Sequence, residues 1–225
     1  MACAQTLEGF PPKRLRGEGK NNSVMDKYPP LIPDAFYHIY NHAIGDEQIF
    51  RNRQQYAFFT GRMKQHLPPV FDVWAYSLLP NHFHLFVKTK SENEIIGELE
   101  RKKGVAYDEQ KHDLSRFIMT RLGNCLNSYT KSVNKQQIRM GGMFMDHTKR
   151  TEVVGQNSMM NVVLYVHKNA VHHGFTRKIG EWPHDSYNEI AGDAPTWLCR
   201  AELLKLFGSV KEFVQVHQNL KIERK

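Results

Sequence analysis

Leu79-Pro80-Asn81-His82-Phe83-His84-Leu85-Phe86-Val87-Lys88 is the stretch on which the fold turns. After Pro80 it is dense in aromatic and aliphatic residues, which predicts a β-strand. Side chains on a strand alternate between faces, so His82 and His84 share one face while Phe83, Leu85 and Val87 occupy the other. Two imidazoles side by side on a rigid element are half of a divalent-metal site. The chain holds 12 histidines, so close spacings also arise by chance and the pair alone does not establish a site. Pro80-Asn81 is a natural reversal, and an apolar run over 70–78 precedes it. The two strands are therefore expected to form an antiparallel hairpin.

Working outward, alternation over 35–42 predicts a first strand, and 53–66 a helix ended by Pro68-Pro69. Residues 92–103 read as helix. The longest helical candidate is 114–135, where Ile118, Leu122, Cys125, Tyr129 and Val133 fall at three- and four-residue spacings. A further strand over 147–154 and a helix over 158–172, closed by Gly174, follow. The order β-α-β-β-α-β predicts a ferredoxin-like α+β fold: one antiparallel sheet with helices on one face, plus a C-terminal helical extension. Residues 1–33, with Pro11-Pro12, Pro29-Pro30 and Lys13-Arg14-Leu15-Arg16, read as a mobile basic leader. The globular domain is expected over 34–190, with a helical tail over 191–225.

Hydrophobic content of 40% over 225 residues suits one substantial core. No apolar run approaches the roughly 20 residues that span a membrane. Cys3, Cys125 and Cys199 are few, odd in number and far apart. They form neither a disulfide framework nor a thiolate zinc site, and the first twenty residues carry no secretory pattern, so a cytoplasmic location is expected. Thirty-one Lys and Arg against 23 Asp and Glu leave a net charge of +8. That excess favours a polyanionic partner, nucleic acid first, over a merely basic surface. There is no Gly-x-Ser-x-Gly, no Walker-type phosphate loop and no Cys-x-x-Cys.

If the histidine pair holds a metal, the chemistry still needs a nucleophile or an activated water. Tyr129 is a candidate, because a deprotonated phenol can attack phosphorus and form a phosphotyrosine. It also lies on the apolar stripe of its helix, where a tyrosine is usually core with its hydroxyl satisfied. Both readings stand at this level.

The segment from Pro80 to Val87 resembles the signature strand of the HUH-type tyrosine transposases, in which a bulky apolar residue separates two histidines. Asn127-Ser128-Tyr129 with Asn134 is similar to their tyrosine helix. Gly142-Met143-Phe144 followed by Lys149-Arg150 resembles their glycine-aromatic-basic segment. Tyr165-Val166-His167-Lys168-Asn169 resembles a later Tyr-Ile-His-x-Asn-Pro motif, and Trp182-Pro183 with Ser186-Tyr187 a downstream aromatic block. The similarity spans about Ala35 to Ile190 and is strongest to the single-copy, REP-associated members. Ala170 stands where that family has proline, and Asp185 where serine is common.

The resemblance implies a Mg2+- or Mn2+-dependent nuclease that cuts and rejoins single-stranded or hairpin DNA, as a monomer or homodimer. It implies that His82 and His84 are metal ligands and that Tyr129 attacks the scissile phosphate, leaving a 5′-phosphotyrosine. A third ligand is expected one turn beyond the tyrosine, but Val133 there cannot ligate, and Asn134 lies too far around the helix to assign. Lys131, Lys135, Arg139, Lys149 and Arg150 flank the tyrosine helix and are candidate phosphate contacts. Trp74, Phe144 and Tyr187 are candidates for stacking on unpaired bases. Two alternatives stay open: a hairpin-binding protein that does not cut, and a phosphoesterase that uses water with Tyr129 structural.

Overall fold

The computed structural model describes residues 28–221. Four strands, β1 (Phe36–His42), β2 (Phe71–Leu79), β3 (His82–Thr89) and β4 (Lys149–Glu152), form one sheet in the order β2-β3-β1-β4 with every neighbouring pair antiparallel. Helices α1 (Arg53–His66), α2 (Glu92–Lys103) and α3 (Leu114–Gln137) lie between strands, and α4 (Gln156–His172), α5 (Tyr187–Ala191), α6 (Arg200–Phe207) and α7 (Val210–Gln218) follow. The strand order is the one that two interleaved βαβ units with right-handed crossovers require. This is the ferredoxin-like α+β arrangement expected from the sequence.

Local chemistry sets the element boundaries. Asn52 caps α1 by accepting from the Gln55 amide at 3.0 Å, and Asp113 caps α3 through the Arg116 amide at 3.0 Å. Ser91 and Glu94 form a reciprocal capping box on α2, which ends where Gly104 turns left-handed at φ 68°. The β2–β3 connection is the dipeptide Pro80-Asn81. Its carbonyls are tied down by the amides of Ile49 and Phe50 on Pro80 and of Ala43 on Asn81. A β-bulge between Val73 and Ala75 re-phases β2, so that Ala75, Ser77 and Leu79 share the face of His82 and His84.

The sheet is covered on both sides. The face of Tyr37, Ile39, Phe83 and Leu85 packs under α1 and α3, where Phe59, Phe83, Tyr129 and Phe144 meet ring against ring. The opposite face carries the histidines, and α4 lies across β2 and β3 on that side. The single helical face expected from the sequence holds for α1 and α3. It leaves out α4, which follows edge strand β4 and is free to cross to the other side.

Residues 1–27 of the proposed leader lie outside the described residues. Within residues 28–33, Leu31 is fully buried, its amide donates to Ser115 Oγ at 2.9 Å, and the Tyr37 hydroxyl donates to Pro30 O at 3.1 Å. The helical tail joins the same core through Leu203, Phe207 and Phe213. Among the described residues no helix is long and apolar enough to cross a membrane.

Candidate functional site

The sheet register lines up one row of side chains across the histidine face. Ser77 of β2, His84 of β3, Tyr40 of β1 and Lys149 of β4 are successive cross-strand partners, with His82 opposite His42 one step along. The His42 and His82 rings stack at 4.7 Å. His38 Nε2 lies 2.9 Å from His84 Nδ1. His82 Nδ1 lies 2.7 Å from Asn81 Oδ1, which only accepts, so Nδ1 carries the proton and Nε2 keeps its lone pair.

Crowding and burial keep these imidazoles neutral. Burial brings His38 down to about 4. It brings His82 down to about 3, with help from the neighbouring His42 and His173. His84 is pushed well below its ordinary value, by burial first and then by the imidazoles around it. Neutral imidazole is the form that binds a metal ion.

α4 supplies the other half of the site. It starts after Gly155 and closes at Gly174, with φ of 85° and 75°. Tyr165, Asn169 and His173 follow at four-residue intervals and so form one line along the helix. The Tyr165 ring stands edge-on to His38 at 5.5 Å and to His84 at 5.4 Å, while His173 meets His82 at 5.0 Å. Asn169 lies between them on that line. Its Nδ2 donates to the Tyr165 carbonyl at 2.9 Å, and its buried Oδ1 has no hydrogen-bond partner among the described residues. An orphaned buried carboxamide oxygen is costly unless something else engages it. Tyr165 is 39% exposed. Burial raises its phenol pKa, and hydrogen bonding from Asn169 partly offsets the rise. Lys168 Nζ hangs 5.7 Å from the Tyr165 ring.

His82 and His84 are thus brought together as expected. Tyr129 is not brought to them, and here the structure corrects the sequence reading. Its ring is fully buried on the far side of the sheet, edge-on to Phe59 at 5.1 Å. Its hydroxyl donates to the Ile49 carbonyl at 2.7 Å, and burial raises its pKa. The apolar stripe of α3 did what such stripes do. The tyrosine that does lie beside the histidines is Tyr165, which the sequence reading did not single out, although Asn169 follows it at the one-turn spacing that Val133 breaks after Tyr129.

The basic candidates separate. Lys149 is on the histidine face, its Nζ 5.6 Å from the Tyr40 ring. Lys131 and Lys135 are exposed on α3, in the layer on the other side of the sheet. Arg139 is paired with Glu47 at 2.8 Å. Arg150 is buried, and its guanidinium donates to the carbonyls of Pro29, Thr148 and Tyr28, so it ties the chain's first described residues to β4 instead of facing solvent. Trp74 packs on Phe36 and Phe86, Phe144 on Phe83, and Tyr187 on Phe213. None of the three offers an open ring. Of the two unusual residues, Ala170 is core, and Asp185 is buried with Oδ1 accepting from the Tyr187 amide at 3.0 Å.

Among the described residues no group of three or more His, Cys, Asp or Glu side chains is arranged to hold a metal ion. His82 and His84 present neutral imidazoles on this face, and Asn169 adds an uncharged oxygen on the line of α4 between Tyr165 and His173. That set suits a divalent cation which keeps open positions for oxygen ligands.

No protein-family model and no curated protein matches the chain. Its fold is similar to that of a REP-associated tyrosine transposase solved bound to a REP hairpin. The TM-score is 0.52 at 14% sequence identity, over 76% of this chain and 94% of that one. The likeness is one of fold.

Proposed function

We propose that the chain is a DNA nuclease and strand transferase of the tyrosine-transposase kind, acting on hairpin-bearing single strands, with Tyr165 as its nucleophile. The observation that carries this reading is the meeting of α4 with β3 on one face of the sheet, Tyr165 against His84 and His173 against His82, with Asn169 between Tyr165 and His173 on the line of the helix. The fold shared with a hairpin-bound tyrosine transposase and the net charge of +8 support it.

His82, His84 and Asn169 Oδ1 would hold Mg2+ or Mn2+. Such an ion, when bound, supplies positive charge to the phosphate oxygens as the phosphorus is attacked. Tyr165 would form an Oη–P bond as the P–O3′ bond breaks, leaving a 5′-phosphotyrosine and a free 3′-hydroxyl. One phosphodiester replaces another, so no nucleotide is consumed. Because Tyr165 is raised by burial, its proton must be removed as the bond forms. With His84 ligating through Nε2, its Nδ1–H would occupy His38 Nε2 at 2.9 Å, so the proton of the partly exposed phenol would pass to solvent. Lys149 and Lys168 flank the phenol side of the row and suit the backbone of the bound strand.

The test is a denaturing-gel assay for a covalent adduct on hairpin-bearing single strands with Mn2+. Wild type and Tyr129→Phe are expected to form the adduct, and Tyr165→Phe to form none. An adduct that survives Tyr165→Phe but not Tyr129→Phe would reverse the assignment. Hairpin binding by wild type with no adduct in any divalent metal would favour a protein that binds without cutting.

A further inference from the structure

α3 ends at Ile138, whose backbone is left-handed at φ 51° and ψ 44°. A β-branched residue is sterically strained there, and glycine or asparagine is the usual occupant of such a cap. The Ile138 side chain is nevertheless 97% exposed, and that of Met140 93%. Ile44 and Met145, both exposed, border the same loop, with Ile44 Cδ1 3.2 Å from where a side chain on Gly142 would begin.

The loop is held, so these groups cannot escape water by collapsing inward. Asn134 Nδ2 donates to Gly141 O at 2.8 Å. Arg139 is paired with Glu47. The amides of Ile44 and Met145 donate to Met143 O and His42 O at 3.0 and 2.8 Å. The last bond ties the loop to the strand end that carries His42, at the margin of the histidine face. Apolar groups presented on a pre-organised support are the usual form of a binding anchor. With Arg139 neutralised by Glu47, the cation nearest the loop on the histidine face is Lys149, and with the chain's net charge of +8 it suits a polyanion.

We propose that Ile138 and Met140 form an apolar wedge that packs against an unpaired or stem-terminal nucleobase of DNA held at the histidine face, with Lys149 on a flanking phosphate. This rests on the hairpin-DNA reading above.

The probe is a DNA hairpin with a single-stranded flank carrying 2-aminopurine at its first unpaired position, titrated with wild type and with Ile138→Asn/Met140→Ser. The double variant should lose roughly tenfold in affinity and lose the change in 2-aminopurine fluorescence. Its thermal midpoint should match or exceed that of wild type, because asparagine suits the left-handed cap. Unchanged affinity and fluorescence overturn the wedge while leaving the functional reading intact. Self-association of wild type that the variant abolishes, with DNA affinity unchanged, also overturns it, since the patch would then join copies of the chain. Wild type that binds no hairpin overturns the functional reading and the wedge together, and is seen before any variant is made.

Discussion

Tyr165 of α4 stands edge-on to His84 of β3, ring centroids 5.4 Å apart and planes at 89°. The contact joins Tyr165, 39% exposed, to the histidine pair. Tyr129, its rival in the sequence, has the sheet between itself and both histidines.

That separation predicts a divided phenotype. Tyr129→Phe removes one buried hydrogen bond, to Ile49 O, and should cost about 1 kcal/mol of stability in urea titration while leaving adduct formation intact. Tyr165→Phe removes a partly exposed hydroxyl and should leave stability within about 0.5 kcal/mol while abolishing the adduct.

Asn169→Ala deletes the orphaned oxygen from the histidine face. Mn2+ affinity, measured by calorimetry on the DNA-free protein, should fall at least about tenfold. Chelation with EDTA should abolish cleavage by wild type and leave hairpin binding largely in place. Equal Mn2+ affinity in the variant would remove Asn169 from the ligand set.

Lys149 and Arg150 are sequence neighbours with opposite surroundings. Lys149→Ala should weaken hairpin binding and reduce the slope of log affinity against log salt by about one, with stability unchanged. Arg150→Ala should instead cost about 2 kcal/mol or more of stability, because three backbone carbonyls lose a buried charged donor.

His217 Nδ1 lies 2.7 Å from the Phe213 carbonyl, so it carries the proton there, and its Nε2 accepts from His167 Nδ1 at 2.9 Å. Burial lowers His217 to about 4. Its unfolded value is near 6.5, so below that pH the unfolded chain binds a proton that the folded chain does not. The stability His217 contributes is therefore present above about pH 6.5 and declines as pH falls toward 4, by up to roughly 3 kcal/mol. Urea titrations at a series of pH values should show the stability gap between wild type and His217→Gln narrowing on acidification. A gap that stays constant would mean His217 is not held neutral.

Much of this fold is written in local pattern. Strict alternation around Phe83 is enough to place His82 and His84 together, because side-chain period two is a property of any strand. Asn52, Ser91 and Asp113 mark helix starts by hydrogen bonds made within a few residues, and the element order dictates the strand order once crossovers are right-handed. Which tyrosine meets the histidines is not local. α3 and α4 both carry a tyrosine on an amphipathic helix, and periodicity shows only which residues share a helix face, not which side of the sheet that face lies against. Crossover handedness commits α1 and α3 to the same side, whereas α4 follows an edge strand and no later strand of this sheet constrains its path. Tertiary packing alone lays α4 across the histidines, and with it decides that Tyr165 meets His84 while Tyr129 remains in the core.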